Sequence, residues 1–458
     1  MFNSFRKYIK RTLGTIATVS IIAVTTFSVT ANVSAAASDS STAPKAAWPD
    51  APSITCESAI LIDADTGSIL YEKDSHRKAY PASTTKILTG LLTIENCNLN
   101  DTMTFSSKAA NSVNPYEDAN LSMKAGEQIT VEQALYGLLL YSANEIAYGL
   151  AEQAAGSADA FIDMMNNKAK ELGAINTHFA NPSGLYNPNH YTTAYDMAMI
   201  ARGCYNNASF VNIDSTSSSY TIPATNMSAQ RTIKHRHKML KGREFYYEYC
   251  KGGKTGFTDE SLMTLVTCAE KDGMRLICVV FRSPDDSTRY IDTRALFDWG
   301  FGNFKKSTTS NSQISSLFST DNYYSSDVFG KSKLGFNLNA SFITIPANGS
   351  TSDVTMDINT DYDVSNSNDK LTAKLNYKYG DNVVGTTTLT ISSGNAVKDS
   401  QLPYLSNEIK VTELTPKKCL KVNIWIIAGI VAVILIIITI INNRKLSNNR
   451  KHHYSKRN

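Results

Sequence analysis

Several signatures are missing from this chain of 458 residues. Its seven cysteines (Cys56, Cys97, Cys204, Cys250, Cys268, Cys278 and Cys419) are irregularly spaced with no CxxC, which argues against zinc and thioredoxin-like chemistry. They read as small buried apolar side chains, with Cys268 and Cys278 near each other across a hairpin. The seven histidines include no HExxH, and His235 and His237 stand alone in a basic loop, so no metal ion or other cofactor is expected. No G-x-S-x-G occurs, which argues against a Ser-His-Asp hydrolase. Extreme composition is absent too. With 42% hydrophobic and 19% charged residues, the chain is neither wholly disordered nor fibrous, and its length suits two or three domains.

Acid is missing from both ends. Residues 1–37 carry four basic residues and residues 442–458 carry six, with no Asp or Glu in either. The formal charge of +4 arises there, because the middle holds 35 basic against 41 acidic residues, a formal −6. The ends look like membrane signals, and nucleic acid is not an expected partner. Residues 1–37 read as a secretory signal peptide, with a basic start, an apolar stretch around Leu13–Val29 and small residues at Val33-Ser34-Ala35 and Ala35-Ala36-Ala37. Ile424–Ile441 has Thr439 as its one polar residue, and a helix of that length spans about 27 Å, close to a bilayer core. Trp425 suits the outer interface, and Arg444 and Lys445 orient the basic tail 442–458 to the cytoplasm. The expectation is an extracytoplasmic body on a single-pass cell-membrane anchor, of undetermined oligomeric state.

Between the ends, residues 38–53 are Ala-, Ser- and Pro-rich and read as a linker. Ser58–Asp63 and Ser68–Lys73 read as a hairpin around Ala64-Asp65-Thr66-Gly67. Thr84–Glu95 has helical spacing. Thr130-Val131-Glu132-Gln133 fits a capping box, and the helical pattern after it breaks at Ser142-Ala143-Asn144 and then resumes. Ala158–Leu172 reads as a helix stopped by Gly173. Glu244–Lys254 is expected to be a strand, Ser261–Ala269 and Met274–Arg282 a hairpin, and Asp292–Trp299 a helix. Residues 303–334 are a Ser/Thr/Asn-rich linker, and 335–415 alternate apolar and polar residues as a small all-β domain.

Three motifs in the mixed α/β stretch 54–302 form a set: Ser83-Thr84-Thr85-Lys86, Ser142-Ala143-Asn144 and Lys254-Thr255-Gly256. Each is weak alone; Ser83 by itself is an ordinary helix N-cap. Together they give S-x-x-K, S-x-N and K-T-G in order, the pattern of serine enzymes that acylate. A serine hydroxyl needs a base. Lys86, three residues after Ser83, shares its helical face, and burial beside a second cation (Lys254) would keep Lys86 neutral. Ser142 offers a proton-relaying hydroxyl, and Asn144 an amide for Lys86 and a substrate carbonyl. Lys254 and Thr255 suit a carboxylate. Gly252, Gly253 and Gly256 let a substrate backbone approach, unless they only mark a bulge.

These motifs, with Ala59–Gly67, Tyr80–Lys86, Asn181-Pro182-Ser183-Gly184-Leu185, Tyr191–Asp196 and Lys254–Thr258, resemble the D-alanyl-D-alanine carboxypeptidases, the low-molecular-mass penicillin-binding proteins. The resemblance covers roughly residues 54–302. It implies an α/β fold of the β-lactamase/transpeptidase type, an antiparallel sheet with helices on both sides. It also implies acyl-enzyme chemistry on peptidoglycan stem peptides and acylation by β-lactams. Ser83 would be nucleophile, Lys86 base and Ser142 relay. Asn144, Lys254, Thr255 and Gly256 would bind substrate, and the N–H groups of Ser83 and Phe257 would form the oxyanion hole. A β-lactamase is the first alternative, but no Glu-x-x-Leu-Asn lies between Asn144 and Lys254. A non-catalytic peptidoglycan-binding protein is the second, disfavoured by the complete motif set. Ala143 stands where β-lactamases have Asp, although a small residue there is common in the resembled family, and Ser261 stands where that family more often has Ala. The Lys, Arg and His cluster of Ile233–Glu248 is also atypical; it reads as a solvated face, with a part in substrate preference as the alternative.

Overall fold

Alternation of side chains builds the central sheet of the computed structural model, which describes residues 47–309, 334–338, 341–358, 365–367 and 370–393. Strands β1 (Ser58–Asp63), β2 (Ile69–Lys73), β7 (Cys250–Thr258), β8 (Leu262–Lys271) and β9 (Met274–Ser283) pair antiparallel in the order β2-β1-β9-β8-β7. Ile60, Ile62, Val266, Cys268, Ile277, Val279 and Phe281 enter one core. Their neighbours Ala59, Leu61, Leu265, Ala269, Leu276, Cys278 and Val280 enter another. A strand buried on both faces reads as a continuous apolar run, which is why β1 and β9 stand out in the sequence.

The first core holds helices α1 (Lys86–Asn96), α3 (Val131–Tyr136), α4 (Asn144–Ala155), α5 (Ala158–Glu171), α6 (Ala194–Tyr205) and α7 (Ala208–Asp214). The second is closed by α8 (Asp286–Asn303), through Tyr290, Leu296 and Phe297. A four-residue helix α2 (Ser107–Ala110) and the ribbons β3–β4 (Thr102–Thr104, Gln128–Thr130) and β5–β6 (Tyr220–Ile222, Arg231–Ile233) complete this part. The expected hairpins, the capping box between Thr130 and Gln133, and the end of α5 before Gly173 all form.

Four expectations change. Residues 244–249 are turns, and the strand begins at Cys250. The aromatic side chains that suggested a strand pack on α8 instead: Tyr247 stacks on Phe297 at 5.7 Å and its hydroxyl donates to Asp298 Oδ1 at 2.9 Å. The last helix is longer than Asp292–Trp299 because Asp285 caps it, accepting from the N–H groups of Ser287 and Thr288. Cys268 and Cys278 lie on adjacent strands but enter opposite cores, and the six described cysteines are free thiols. Finally, the stretch 303–334 is not linker throughout. Strand β10 (Phe304–Thr308) continues from α8 and pairs with β12 (Phe342–Pro346).

Beyond it, β11 (Leu334–Leu338), β16 (Asn382–Ser393), β15 (Lys370–Tyr379) and β13 (Val354–Ile358) form a second antiparallel sheet, with β14 (Ser365–Ser367) also on β15. Short strands thus occur where the alternation in 335–415 predicts them, and Ile343, Ile345, Tyr377, Tyr379 and Val384 form a small core. The start of the linker 38–53 and the end of the range 335–415 lie outside the described residues, as do the signal peptide 1–37, the span Ile424–Ile441 and the tail 442–458. Among the described residues, no helix is long and apolar enough to cross a membrane.

The β1–β2 turn ties the central sheet to the β10–β12 pair. Asp63 Oδ1 accepts from the N–H groups of Asp65 (2.8 Å) and Thr66 (3.0 Å), closing the turn. Its Oδ2 accepts from the Thr344 hydroxyl of β12 at 2.8 Å, and Thr344 Oγ1 lies 3.0 Å from Thr66 Oγ1. Asp63 and Thr344 are both fully buried. Thr344→Val keeps the shape and leaves Asp63 Oδ2 without its donor, so urea unfolding of the full chain should show a loss of about 1–3 kcal/mol. An unchanged midpoint would reject this joint.

Candidate active site

Ser83 sits on a single 3-10 turn, Ala82–Thr85, that leads into α1. Ala82 before it has φ +50°, a left-handed conformation that costs a non-glycine residue about 1–2 kcal/mol. Its neighbours hold it there. Gly184 packs so closely that a Cβ would lie 1.9 Å from the Ala82 carbonyl oxygen. One turn on, the Lys86 side chain is fully buried. Its Nζ lies 3.0 Å from Ser83 Oγ, 2.5 Å from Asn144 Oδ1 and 2.5 Å from the Ser183 carbonyl oxygen.

That environment selects the neutral amine. Burial pushes the Lys86 pKa well down, and the charges of Lys254 and Arg236 push it further; Glu145 and Asp118 act weakly the other way. In a neutral amine, two N–H groups serve the Asn144 and Ser183 acceptors, and the lone pair is left for the Ser83 hydroxyl. Residues 137–141 form a single wide π turn, and Ser142 follows with φ +69°, so the expected helix break is real. The break turns Ser142 Oγ toward Lys254 Nζ (2.9 Å) and starts α4 at Asn144.

Lys254 stands on β7, the edge strand of the sheet. It is buried and also donates to the Thr255 carbonyl at 2.9 Å. Burial, then Arg236, brings its pKa down to about 7. Gly256 is obligatory: a Cβ there would lie 2.9 Å from the Ser83 nitrogen and 2.4 Å from Thr264 Oγ1. Phe257 beside it is 54% exposed, an apolar side chain at the cleft rim. Ser261 holds the next turn, accepting from the Thr258 N–H at 2.8 Å. Ser83, Ser142, Asn144, Thr255, Gly256 and Phe257 line one cleft of about 690 Å³, with Lys86 and Lys254 beneath it. All eight expected site residues are therefore together.

Sequence reasoning missed three parts. The Ser183 carbonyl is a backbone atom with no residue signature, although the Asn-Pro-Ser-Gly turn carrying it is visible; Asn181 Oδ1 accepts from the N–H groups of Ser183 (3.1 Å) and Gly184 (2.7 Å). Arg289 donates to the carbonyls of Gly256 (3.1 Å) and Thr264 (3.0 Å), steadying β7. The cluster Ile233–Glu248 is not simply a solvated face: Lys234, Arg236, Lys238 and Arg243 line the cleft, and His235 and His237 are buried. Among the described residues, no cluster of His, Cys, Asp and Glu is suited to a metal ion.

The profile of the D-alanyl-D-alanine carboxypeptidase family, peptidase family S11, matches residues 45–285, more than half of the chain. The chain belongs to this family. It is 34% identical over 254 residues to D-alanyl-D-alanine carboxypeptidase DacF of Bacillus subtilis, covering 54% of this chain and 63% of that one. It is 34% identical to DacB2 of Mycobacterium tuberculosis, covering 55% and 84%. Against DacF and Escherichia coli DacC, the match spans just under two thirds of the relative's length. Penicillin binding protein 5 from Haemophilus influenzae superposes with a TM-score of 0.59 at 25% identity, over 75% of this chain and 98% of that one. The Streptomyces K15 DD-transpeptidase gives 0.52 at 28%, over 56% and 100%. The transpeptidase-like α/β fold is thus shared.

Behind Lys86, His190 is buried, with Nε2 2.8 Å from Thr85 Oγ1 and Nδ1 accepting from the Ala180 N–H at 3.0 Å. Burial lowers its pKa to about 3. The unfolded chain takes up that proton near pH 6.5 and the folded chain does not, so stability is complete above 6.5 and falls as pH drops toward 3. The unfolding midpoint should fall across this window, less steeply in His190→Gln; equal slopes would refute the assignment.

Proposed function

We propose that the chain is a serine-type D-Ala-D-Ala carboxypeptidase that removes the terminal D-alanine from peptidoglycan pentapeptides and is acylated by β-lactams. The observation that carries this reading is the buried Lys86 amine, held between two acceptors with Ser83 Oγ 3.0 Å away. In the first step Ser83 Oγ attacks the penultimate D-alanine carbonyl as its proton passes to Lys86. The N–H groups of Ser83 and Phe257 hold the oxyanion. Lys254 and Thr255 hold the terminal carboxylate, while Gly256 lets the substrate backbone lie along β7. Asn144 fixes Lys86 and the substrate amide. Ser142 passes a proton to the leaving nitrogen and takes its replacement from the Lys86 ammonium, so D-alanine departs and Lys86 is again the neutral amine. A water molecule, deprotonated by Lys86, then releases the shortened peptide.

The protein is expected to take a covalent fluorescent penicillin label that Ser83→Ala abolishes; label retained by that variant would overturn the nucleophile. Lys86 must be neutral to act, so kcat/KM should have an acid limb set by its pKa. Lys254 and Arg236 disfavour the proton on Lys86, whereas Glu145 and Asp118 favour it. Removing a cation raises the pKa, so the acid limb of Arg236→Gln should move to higher pH; an unmoved limb would reject the tuning.

For location, we propose a catalytic body outside the cytoplasmic membrane, exported by residues 1–37 and anchored by Ile424–Ile441. The hydropathy of that stretch and the basic residues after it support this reading. Protease added to intact cells should leave only a small C-terminal fragment protected. Full protection would reject the topology.

A further inference from the structure

Lys234, His235, Arg236 and Lys238 all border the cleft, but the His235 side chain is almost completely buried there, and His237 is buried away from it. His237 is tied to the sheet, with Nε2 2.9 Å from Thr267 Oγ1. His235 Nδ1 accepts from the His237 N–H at 3.0 Å, so the neutral His235 ring carries its proton on Nε2. That nitrogen lies 3.5 Å from Asp214 Oδ1.

Asp214 is completely buried, at the end of α7. Its Oδ2 accepts from the Tyr205 hydroxyl at 2.7 Å, and it packs on Gly252, where a Cβ would lie 2.5 Å from Oδ2. Asp214 Oδ1 and His235 Nε2 are both buried, and neither makes a hydrogen bond to any group; the 3.5 Å approach is an ion-pair distance only. A buried acceptor and a buried donor left idle would each cost about 1–3 kcal/mol, so their mutual approach is their one compensation.

Arg236 lies between the two histidines. Its N–H donates to the Leu140 carbonyl at 2.9 Å, and its guanidinium sits 4.5 Å above the Tyr141 ring, next to Ser142. Of the surrounding charges, Arg236 weighs most on Lys254. Burial and then Arg236 lower the Lys254 pKa to about 7, whereas a guanidinium stays charged. Arg236 therefore supplies a fixed positive charge at this end of the cleft beside the titratable one of Lys254.

We propose that Asp214 and His235 are a buried positioning couple that holds the Arg236 guanidinium over the Lys254 end of the cleft. Neither touches substrate; they act through Arg236. The inference rests on the carboxypeptidase reading, because it assumes that the substrate's carboxylate lies at that end.

The test is steady-state kinetics of D-alanine release from a pentapeptide by the full-length protein. On the pH plateau above the acid limb, where Lys86 is neutral in both proteins, Arg236→Gln should raise KM about tenfold and leave kcat within about twofold, as expected for one lost charge interaction. Asp214→Asn and His235→Asn should each raise KM about three- to fivefold with the same kcat. In the Arg236→Gln background they should add almost nothing. Additive losses, a fall in kcat at constant KM, or single variants with unchanged KM would each overturn the couple. If Asp214→Asn does not fold, His235→Asn carries the test, since its amide oxygen still offers an acceptor to the His237 N–H. If the wild type is acylated by penicillin but releases no D-alanine, the carboxypeptidase reading fails by itself. The same non-additivity is then measured in the second-order acylation constant for penicillin, which also carries a carboxylate.

Discussion

A lysine amine without water is the constraint around which this site is arranged. An ammonium group at the position of Lys86 would be stripped of solvent beside two other cations, Lys254 and Arg236. The neutral amine escapes that cost but still needs acceptors for its hydrogens. They come from distant parts of the chain, Asn144 and the Ser183 carbonyl. Three pieces of unusual backbone deliver them: left-handed Ala82 before the nucleophile, left-handed Ser142 before Asn144, and Gly184 pressed on Ala82. The two non-glycine residues each cost conformational energy alone, Gly184 takes its left-handed turn without that cost, and all converge on one nitrogen.

The sheet supplies the opposite wall. β7 is an edge strand, so one side of its backbone has no strand partner within the sheet. Gly256 brings that edge onto Ser83, and Arg289 braces it from behind through the carbonyls of Gly256 and Thr264. The central part of the chain has a formal charge of −6, yet this cleft collects Lys234, Arg236, Lys238 and Arg243. Two of its acids, Glu117 and Asp118, stand on the loop before Asn144. Net charge therefore describes this site poorly; at these distances, the few cations near Lys254 outweigh the sum over the body.

Much of this was legible because the chemistry fixes residue types at fixed spacings. Ser83 and Lys86 must share a helical face, and Ser142 and Asn144 must straddle a helix break. β8 and β9 were legible for a different reason, their apolar length around Lys271-Asp272-Gly273. The misreadings share a cause: side chains used for tertiary packing imitate local signals. Tyr247 and Tyr249 looked like strand residues, but Tyr247 packs on α8. Phe304–Thr308 was hidden in a Ser/Thr-rich composition because its strand partner, β12, follows only after a long intervening segment. The Ser183 carbonyl had no side-chain signature at all.

The basic segment shows the limit most clearly. Lys-His-Arg-His-Lys reads as a solvated charge run, and its alternation is equally that of an extended segment with histidines inward. Backbone accounting explains why the inward residues are histidines. Residues 234–238 lie beyond β6 and have no ladder, so their N–H groups need other acceptors. Leu140 serves Arg236, His235 Nδ1 serves the N–H of His237, and His237 Nδ1 serves that of Met239 at 3.2 Å. An apolar side chain at either position would fill the space and leave a buried N–H unpaired, whereas imidazole accepts locally and still presents Nε2 to Asp214 or Thr267. The same two rings thus replace a missing strand partner and leave the intervening arginine facing the cleft.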